Sequence, residues 1–268
     1  MRTASDPVTT SAITTSADAA SAAAAHDVAV RGLAVRRGGA LALVDVTCTL
    51  RAGAVTAVVG GNGSGKSTLL EALAGLLPIA AGRIDGPPAA RALVVQRSEA
   101  DDRVPLRARQ VVAMGLWRER GALGRLGRED RARILAALEE VGAADLADRQ
   151  LASLSGGQRQ RVLVAQGLVQ RAPLLLLDEP AAAADAAARD RIDAALAAAA
   201  GRGAAVVVAT HDRTSLARAD RALLLDRGRV VVEGSPAAAA AAQAEARRGG
   251  ARPREGVVRM RAGAVRDP

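Results

Sequence analysis

The sequence predicts an α/β domain, a mostly parallel sheet with helices on both faces. Three observations carry this. Short apolar stretches recur at Ala54–Val59, Ala92–Val95, Leu174–Leu177 and Ala204–Ala209. Segments of helix length separate several of them. The first runs straight into a glycine-rich loop, Gly60–Gly65, that opens a helix.

The elements follow in order. Residues 1 to 27 are Ala, Ser, Thr and Asp without periodicity, which predicts a disordered leader. Val28–Val35 and Leu41–Leu50 alternate as strands of an antiparallel sheet do. Ala54–Val59 is a buried strand, and Lys66–Leu76 is a helix that stops before Pro78. The segment from about 97 to 150 is charged and helical, with Ile134, Leu135, Leu138 and Val141 on one face, and reads as an inserted subdomain. Then come a helix at about 156–170, the strand Leu174–Asp178, a helix at about 186–199 and the strand Ala204–Ala209. A helix after His211 and a Leu223–Val232 hairpin close the domain near residue 235. From Pro236 an alanine run of high helix propensity leads into a basic tail, Arg247 to Arg266, broken by Gly249, Gly250 and Pro253. That tail reads as a flexible remnant of an Arg- and Ala-rich composition, with electrostatic contact to an anionic membrane as the alternative.

Composition narrows the function. Half of the 268 residues are hydrophobic, yet Trp117 is the only aromatic, so no surface of stacked aromatics can read single-stranded nucleic acid. The net charge of +9 comes almost wholly from arginine, because Lys66 is the only lysine. Cys48 is the only cysteine, and His26 and His211 are the only histidines, so neither an intrachain disulfide nor a multi-histidine metal site can form. No apolar run approaches the roughly 20 residues that a membrane helix needs. Cys48 reads as a packed core residue, and Met114 and Trp117 as internal packing or partner contact in the inserted subdomain.

Three motifs carry chemistry. Gly60-Gly61-Asn62-Gly63-Ser64-Gly65-Lys66-Ser67 fits G-x-x-x-x-G-K-[ST] between a strand and a helix. Its amides suit phosphate oxygens, Lys66 can reach β and γ phosphates, and Ser67 can hold Mg²⁺. Leu174–Leu177 delivers Asp178 and Glu179 to a strand end, Asp178 to bind Mg²⁺ and Glu179 to polarise a water. Ser155-Gly156-Gly157-Gln158 precedes a helix and forms a second anion cradle, which implies that two chains share each nucleotide.

Over about residues 28 to 235 the motifs and their order resemble an ATP-binding cassette (ABC) transporter ATPase subunit, a P-loop NTPase with a RecA-like parallel core, an antiparallel β subdomain and an inserted helical subdomain. The resemblance makes Gly60 to Thr68 the Walker A loop, Gln96 the Q-loop glutamine and a Mg²⁺ ligand, and Ser155 to Gln158 the signature that caps the partner's ATP. It makes Asp178 and Glu179 Walker B and the catalytic glutamate, Asp185 the D-loop aspartate, and His211 the γ-phosphate histidine. Two departures stand out. The family's adenine-stacking aromatic is missing, and Arg37 is the candidate to stack its guanidinium on the base, the alternative being a plain surface charge. The D-loop reads Ala182-Ala183-Ala184-Asp185 where the family has Ser or Thr and Leu.

The stretch Val95-Gln96-Arg97-Ser98-Glu99, with Val104-Pro105-Leu106 and Val111-Val112-Ala113-Met114-Gly115, resembles the zinc and manganese uptake branch. That resemblance implies a homodimer using ATP and Mg²⁺ beneath a membrane permease on the cytoplasmic face, served indirectly by an extracytoplasmic metal-binding protein, with no nucleic-acid partner. Siderophore and haem importers are the near alternative. A soluble ABC ATPase of the chromosome type would need a long coiled coil between Lys66 and Ser155, for which there is no room, and a non-catalytic module would not need Glu179 and His211.

Overall fold

The computed structural model describes residues 27–86, 90–95, 105–122, 124–247 and 258–259. Gln96, the leader up to His26 and most of the basic tail lie outside them.

A three-stranded antiparallel sheet, ordered β2-β1-β4, is built from β1 (Val28–Arg37), β2 (Ala40–Leu50) and β4 (Ile79–Asp85). Val28, Val30, Leu33, Val35, Leu43, Val46 and Leu50 turn to the core. β1 is irregular between Val30 and Leu33, where Gly32 and Gly82 meet so closely that a Cβ on Gly82 would lie 2.3 Å from the Gly32 carbonyl oxygen. β4 escaped the sequence reading because its residues are exposed or half-buried, so no apolar alternation marks it. It is held by backbone pairing to β1 instead.

The main sheet runs β10-β9-β8-β3-β7-β6-β5. Its parallel core joins β3 (Val55–Gly60), β5 (Arg91–Val94), β6 (Leu174–Asp178), β7 (Ala205–Ala209) and β8 (Arg221–Asp226). β9 (Arg229–Gly234) pairs antiparallel to β8, and Val258–Arg259 adds β10 parallel to β9. The unbroken apolar runs follow from burial on both faces. In β6, Leu174 and Leu176 enter the core beneath the antiparallel sheet, whereas Leu175 and Leu177 enter the core shared with the helices. Val206 and Val208 of β7 face the helical core, and Ala205, Val207 and Ala209 the other.

Helix α1 (Lys66–Leu73) ends three residues before the expected Leu76, which is 65% exposed. The charged insertion holds α2 (Ala108–Met114), α3 (Trp117–Arg120) and α4 (Arg128–Glu140). Ile134, Leu138 and Val141 are buried, but Leu135 is not. At 100° per residue it turns off the i, i+4, i+7 stripe, which corrects its placing on the apolar face. Several of the insertion's charges are paired rather than simply solvated. Asp130, buried, accepts from Nε and Nη2 of Arg120 at 3.1 and 3.0 Å and from the Gly127 amide at 2.9 Å. Arg133 grips Glu119 through two hydrogen bonds.

Beyond the insertion come α5 (Gly156–Leu168), α6 (Ala186–Gly201), α7 (Arg213–Arg218) and α8 (Pro236–Arg247). The alanine run is therefore a helix. It buries Ala239 against Leu216, Ala219 and Leu224, so packed structure continues past residue 235.

Cys48 is buried, and burial together with the nearby Glu233 carboxylate pushes its thiol up to about 12, against a smaller opposing effect of Arg221. The folded protein should leave Ellman's reagent unreacted at pH 8 and react only after denaturation. Leu176→Ala, in the middle of β6 and fully buried, should cost about 2–5 kcal/mol, read as a lower urea midpoint.

Candidate nucleotide site

Parallel strands place the site. β3, β7 and β6 lie side by side, with Val58 opposite Ala209 and Asp178 opposite Ala209. Their carboxyl ends therefore deliver Gly60, Asp178 with Glu179, and Thr210 with His211 to one edge, where ligands sit in open α/β sheets.

The loop after β3 is shaped by its glycines. Gly60 (φ 158°) passes so close to β8 that a Cβ would meet the Leu225 carbonyl oxygen at 2.4 Å. Gly65 (φ 106°) starts α1 in a left-handed conformation beneath Leu43 and Ala42 of β2. Over Gly61 and Gly63, by contrast, a Cβ would find open space. The loop is thus pinned at its two ends and open between them, as a backbone cradle for an anion must be. Lys66 is buried and folds back, donating from Nζ to the carbonyls of Gly60 at 3.1 Å and Gly61 at 3.2 Å. Ser64 and Thr68 are buried, and Ser64 Oγ has no hydrogen-bond partner. Ser67, beside Lys66 at the start of α1, is exposed. A buried ammonium over an open amide loop fits a polyphosphate, and one hydroxyl beside it fits the cation that accompanies it.

Glu179 has φ 49°, and its amide donates to the Ala209 carbonyl at 2.9 Å. That bend aims its carboxylate at His211, whose Nδ1 lies 3.1 Å from Oε1. Glu179 is 19% exposed and His211 62%. The next residue, Asp212, caps α7 by accepting from the amides of Thr214 and Ser215. Burial pushes its carboxyl up, but the Ser215 amide, the Arg189 guanidinium, the Thr214 amide and His211 outweigh that and hold it below the usual range.

Ser155 caps α5: its hydroxyl accepts from the Gln158 amide at 3.3 Å while Gln158 Oε1 accepts from the Ser155 amide. Gly156 and Gly157 abut Ala183, where a Cβ on Gly157 would come within 3.0 Å of the Ala183 carbonyl. Among the described residues no hydrogen bond or ion pair joins Ser155–Gln158 to Gly60–Thr68. Asp185 caps α6 by accepting from Ala188 at 2.7 Å. Arg37 pairs with Glu71 on α1 at 3.0 and 3.3 Å and remains half exposed. The sequence reading missed Glu71, and also Arg189 and Asp212. Only the C-terminal neighbourhood of His211 hinted at Asp212, and nothing at the other two.

An anion cradle at the switch of strand to helix, with two acids and a histidine on the neighbouring strand ends, defines a P-loop nucleotide-binding domain. Comparison places it more closely. Residues 43–182 match the family described as ABC transporter, and the chain belongs to that family. It is 43% identical over 201 residues to the zinc transport system ATP-binding protein TroB of Treponema pallidum, covering 72% of this chain and 75% of that one. It is 42% identical over 210 residues to the hemin import ATP-binding protein HmuV of Streptomyces coelicolor, covering 74% of each. Its fold is similar to a dimeric bacterial ABC transporter cassette, MJ0796, with TM-score 0.68 and 25% identity over 78% of this chain and 98% of that one. The protein is an ABC-type ATPase.

Arg37→Ala should change stability by less than about 1 kcal/mol, because its pair with Glu71 is largely solvated. Thermal unfolding should show it. Gly60→Ala should be far more damaging, since the Leu225 carbonyl and Ser64 block the new methyl.

Proposed function

We propose that this chain is the ATP-hydrolysing subunit that powers a separate membrane permease, and that the cargo is a divalent metal ion such as zinc or manganese. The observation that carries the enzymatic part is the Glu179–His211 pair beside the glycine cradle. The cargo rests on relatives. Besides TroB, a zinc import ATP-binding protein ZnuC of Cereibacter sphaeroides is 41% identical over 206 residues. The hemin-import relative supports haem uptake as the second reading.

In this reading the amides of Gly61 to Lys66 and the Lys66 ammonium bind the β and γ phosphates, with Thr68 packed behind them. Mg²⁺, when bound, neutralises charge on the phosphates; Ser67, Asp178 and Gln96 are the residues assigned to hold it. Glu179 accepts a proton from the attacking water, and His211 orients Glu179 and reaches the γ-phosphate side. Arg37, held by Glu71, offers a planar guanidinium to the base. Ser155, Gly156, Gly157 and Gln158 serve the nucleotide of a second copy. That no hydrogen bond or ion pair joins them to Gly60–Thr68 among the described residues is in keeping with a homodimer that shares two nucleotides. The permease contact puts the subunit peripherally at the cytoplasmic face of the membrane, and an extracytoplasmic metal-binding protein acts indirectly.

Glu179→Gln should retain ATP binding and lose hydrolysis by about 100-fold or more, as expected for removal of a general base. It should also accumulate an ATP-bound dimer in gel filtration. Hydrolysis at the parental rate would remove Glu179 from the mechanism. Arg37→Ala should weaken ATP binding and narrow any preference over GTP, read by titration calorimetry with both nucleotides. Cargo is tested by zinc, manganese and haemin uptake in cells carrying the chain with its permease.

A further inference from the structure

One arginine beside the site reaches both loops that frame it. Arg189 lies in the first turns of α6 and is three-quarters buried. Its Nη2 donates to the Ala184 carbonyl at 3.4 Å, the loop that leads from Glu179 to the Asp185 cap. Its Nε faces Asp212 Oδ2 at 3.8 Å. Asp212 in turn adjoins His211 and caps α7. Arg189, Glu179, Ala181, Ala182, His211 and Asp212 all line one small cleft of about 40 Å³. The guanidinium therefore spans from the Ala181–Asp185 loop to Asp212, the residue after His211.

The contact is incomplete. Arg189 Nε is buried and has no hydrogen-bond partner, because 3.8 Å is too long for one. A buried donor without an acceptor is unfavourable, and an approach of roughly 0.6 Å or more toward Asp212 would satisfy it. Charge favours the same movement, since Asp212 is held in its ionised form.

We infer that Arg189 is a positioning residue that ties the Ala181–Asp185 loop to Asp212 and so sets His211 against Glu179 for hydrolysis. It touches neither nucleotide nor the reacting atoms. The inference rests on the reading of Glu179 and His211 as the hydrolytic pair. Its physical content is geometric: removing the strap leaves the phosphate cradle intact but lets the His211 loop and the Ala181–Asp185 loop move apart.

The experiment uses the full chain and measures kcat, ATP affinity and thermal unfolding for Arg189→Ala, Arg189→Lys, Asp212→Asn and the Arg189→Ala/Asp212→Asn double variant, with Glu179→Gln as reference. Asparagine caps helices as well as aspartate does, so Asp212→Asn removes charge and keeps the cap of α7. Arg189→Ala should lower kcat by about tenfold, in line with the cost of misplacing a reacting group. ATP affinity should stay within about twofold and the unfolding midpoint within about 2 °C. Arg189→Lys should recover part of the rate, and the double variant should be no slower than Arg189→Ala, because both remove the same contact. Parental kcat in Arg189→Ala with Glu179→Gln inactive would overturn the strap alone. So would losses in the double variant that multiply, or a fall in affinity and midpoint that tracks the fall in rate. Hydrolysis by Glu179→Gln at the parental rate would instead overturn the reading of the site on which the strap depends.

Discussion

Burial of the parallel sheet on both faces is the constraint from which the rest follows. Strands such as Leu174–Asp178 and Ala205–Ala209 have no solvated side. Each parallel pairing needs a crossover to return the chain, and the crossovers supply the covering helices. A common strand direction then makes the carboxyl ends of β3, β6 and β7 coincide. The phosphate loop, the two acids and the histidine come together because core packing aligns the strands that precede them, not because they attract each other. The charges are compensated locally: the buried Lys66 ammonium donates to the Gly60 and Gly61 carbonyls, and Glu179 lies against His211, which stays largely exposed.

The local backbone adds what strands cannot. Glu179 adopts a left-handed conformation that few non-glycine residues enter, and the hydrogen bond from its amide to Ala209 holds it there. The bend turns a residue that would have continued β6 toward His211. Gly60 works in the opposite sense: it removes a side chain so that the end of β3 can lie against Leu225 of β8 at contact distance. Lys66 meanwhile occupies the cradle through its own loop carbonyls, so the ammonium is already desolvated and in place. These devices explain how a short motif becomes a shaped site.

The arginine-rich composition has a structural use beyond net charge. Arg120 and Arg133 are drawn onto carboxylates, and Arg161 and Arg191 onto the carbonyl of half-buried Gly142. The end of α4 is thereby fixed to α5 and α6. Arginine suits this, since its fork serves several acceptors at once. With Trp117 the only aromatic, and exposed, the core is built of Leu, Val and Ala packed in two-sided strands. The same economy leaves alanines in the Ala181–Asp185 loop, where Ala183 is small enough to lie against Gly156 and Gly157.

What was legible in the sequence is what local chemistry dictates. Apolar runs marked the buried strands, and G-x-x-x-x-G-K-S with Asp178-Glu179 marked the phosphate and acid groups, because each motif depends on neighbours in the chain. The family and its ordered motifs were legible for the same reason. What only tertiary structure decided depends on distant pairs. β4 forms through backbone bonds to β1 and leaves no pattern in its own side chains. Glu71 meets Arg37, and Arg189 meets Asp212, across separations that no spacing rule spans. Periodicity reports which side of an element is buried. It is silent on which residue of another element waits there, since that is set by how whole layers stack.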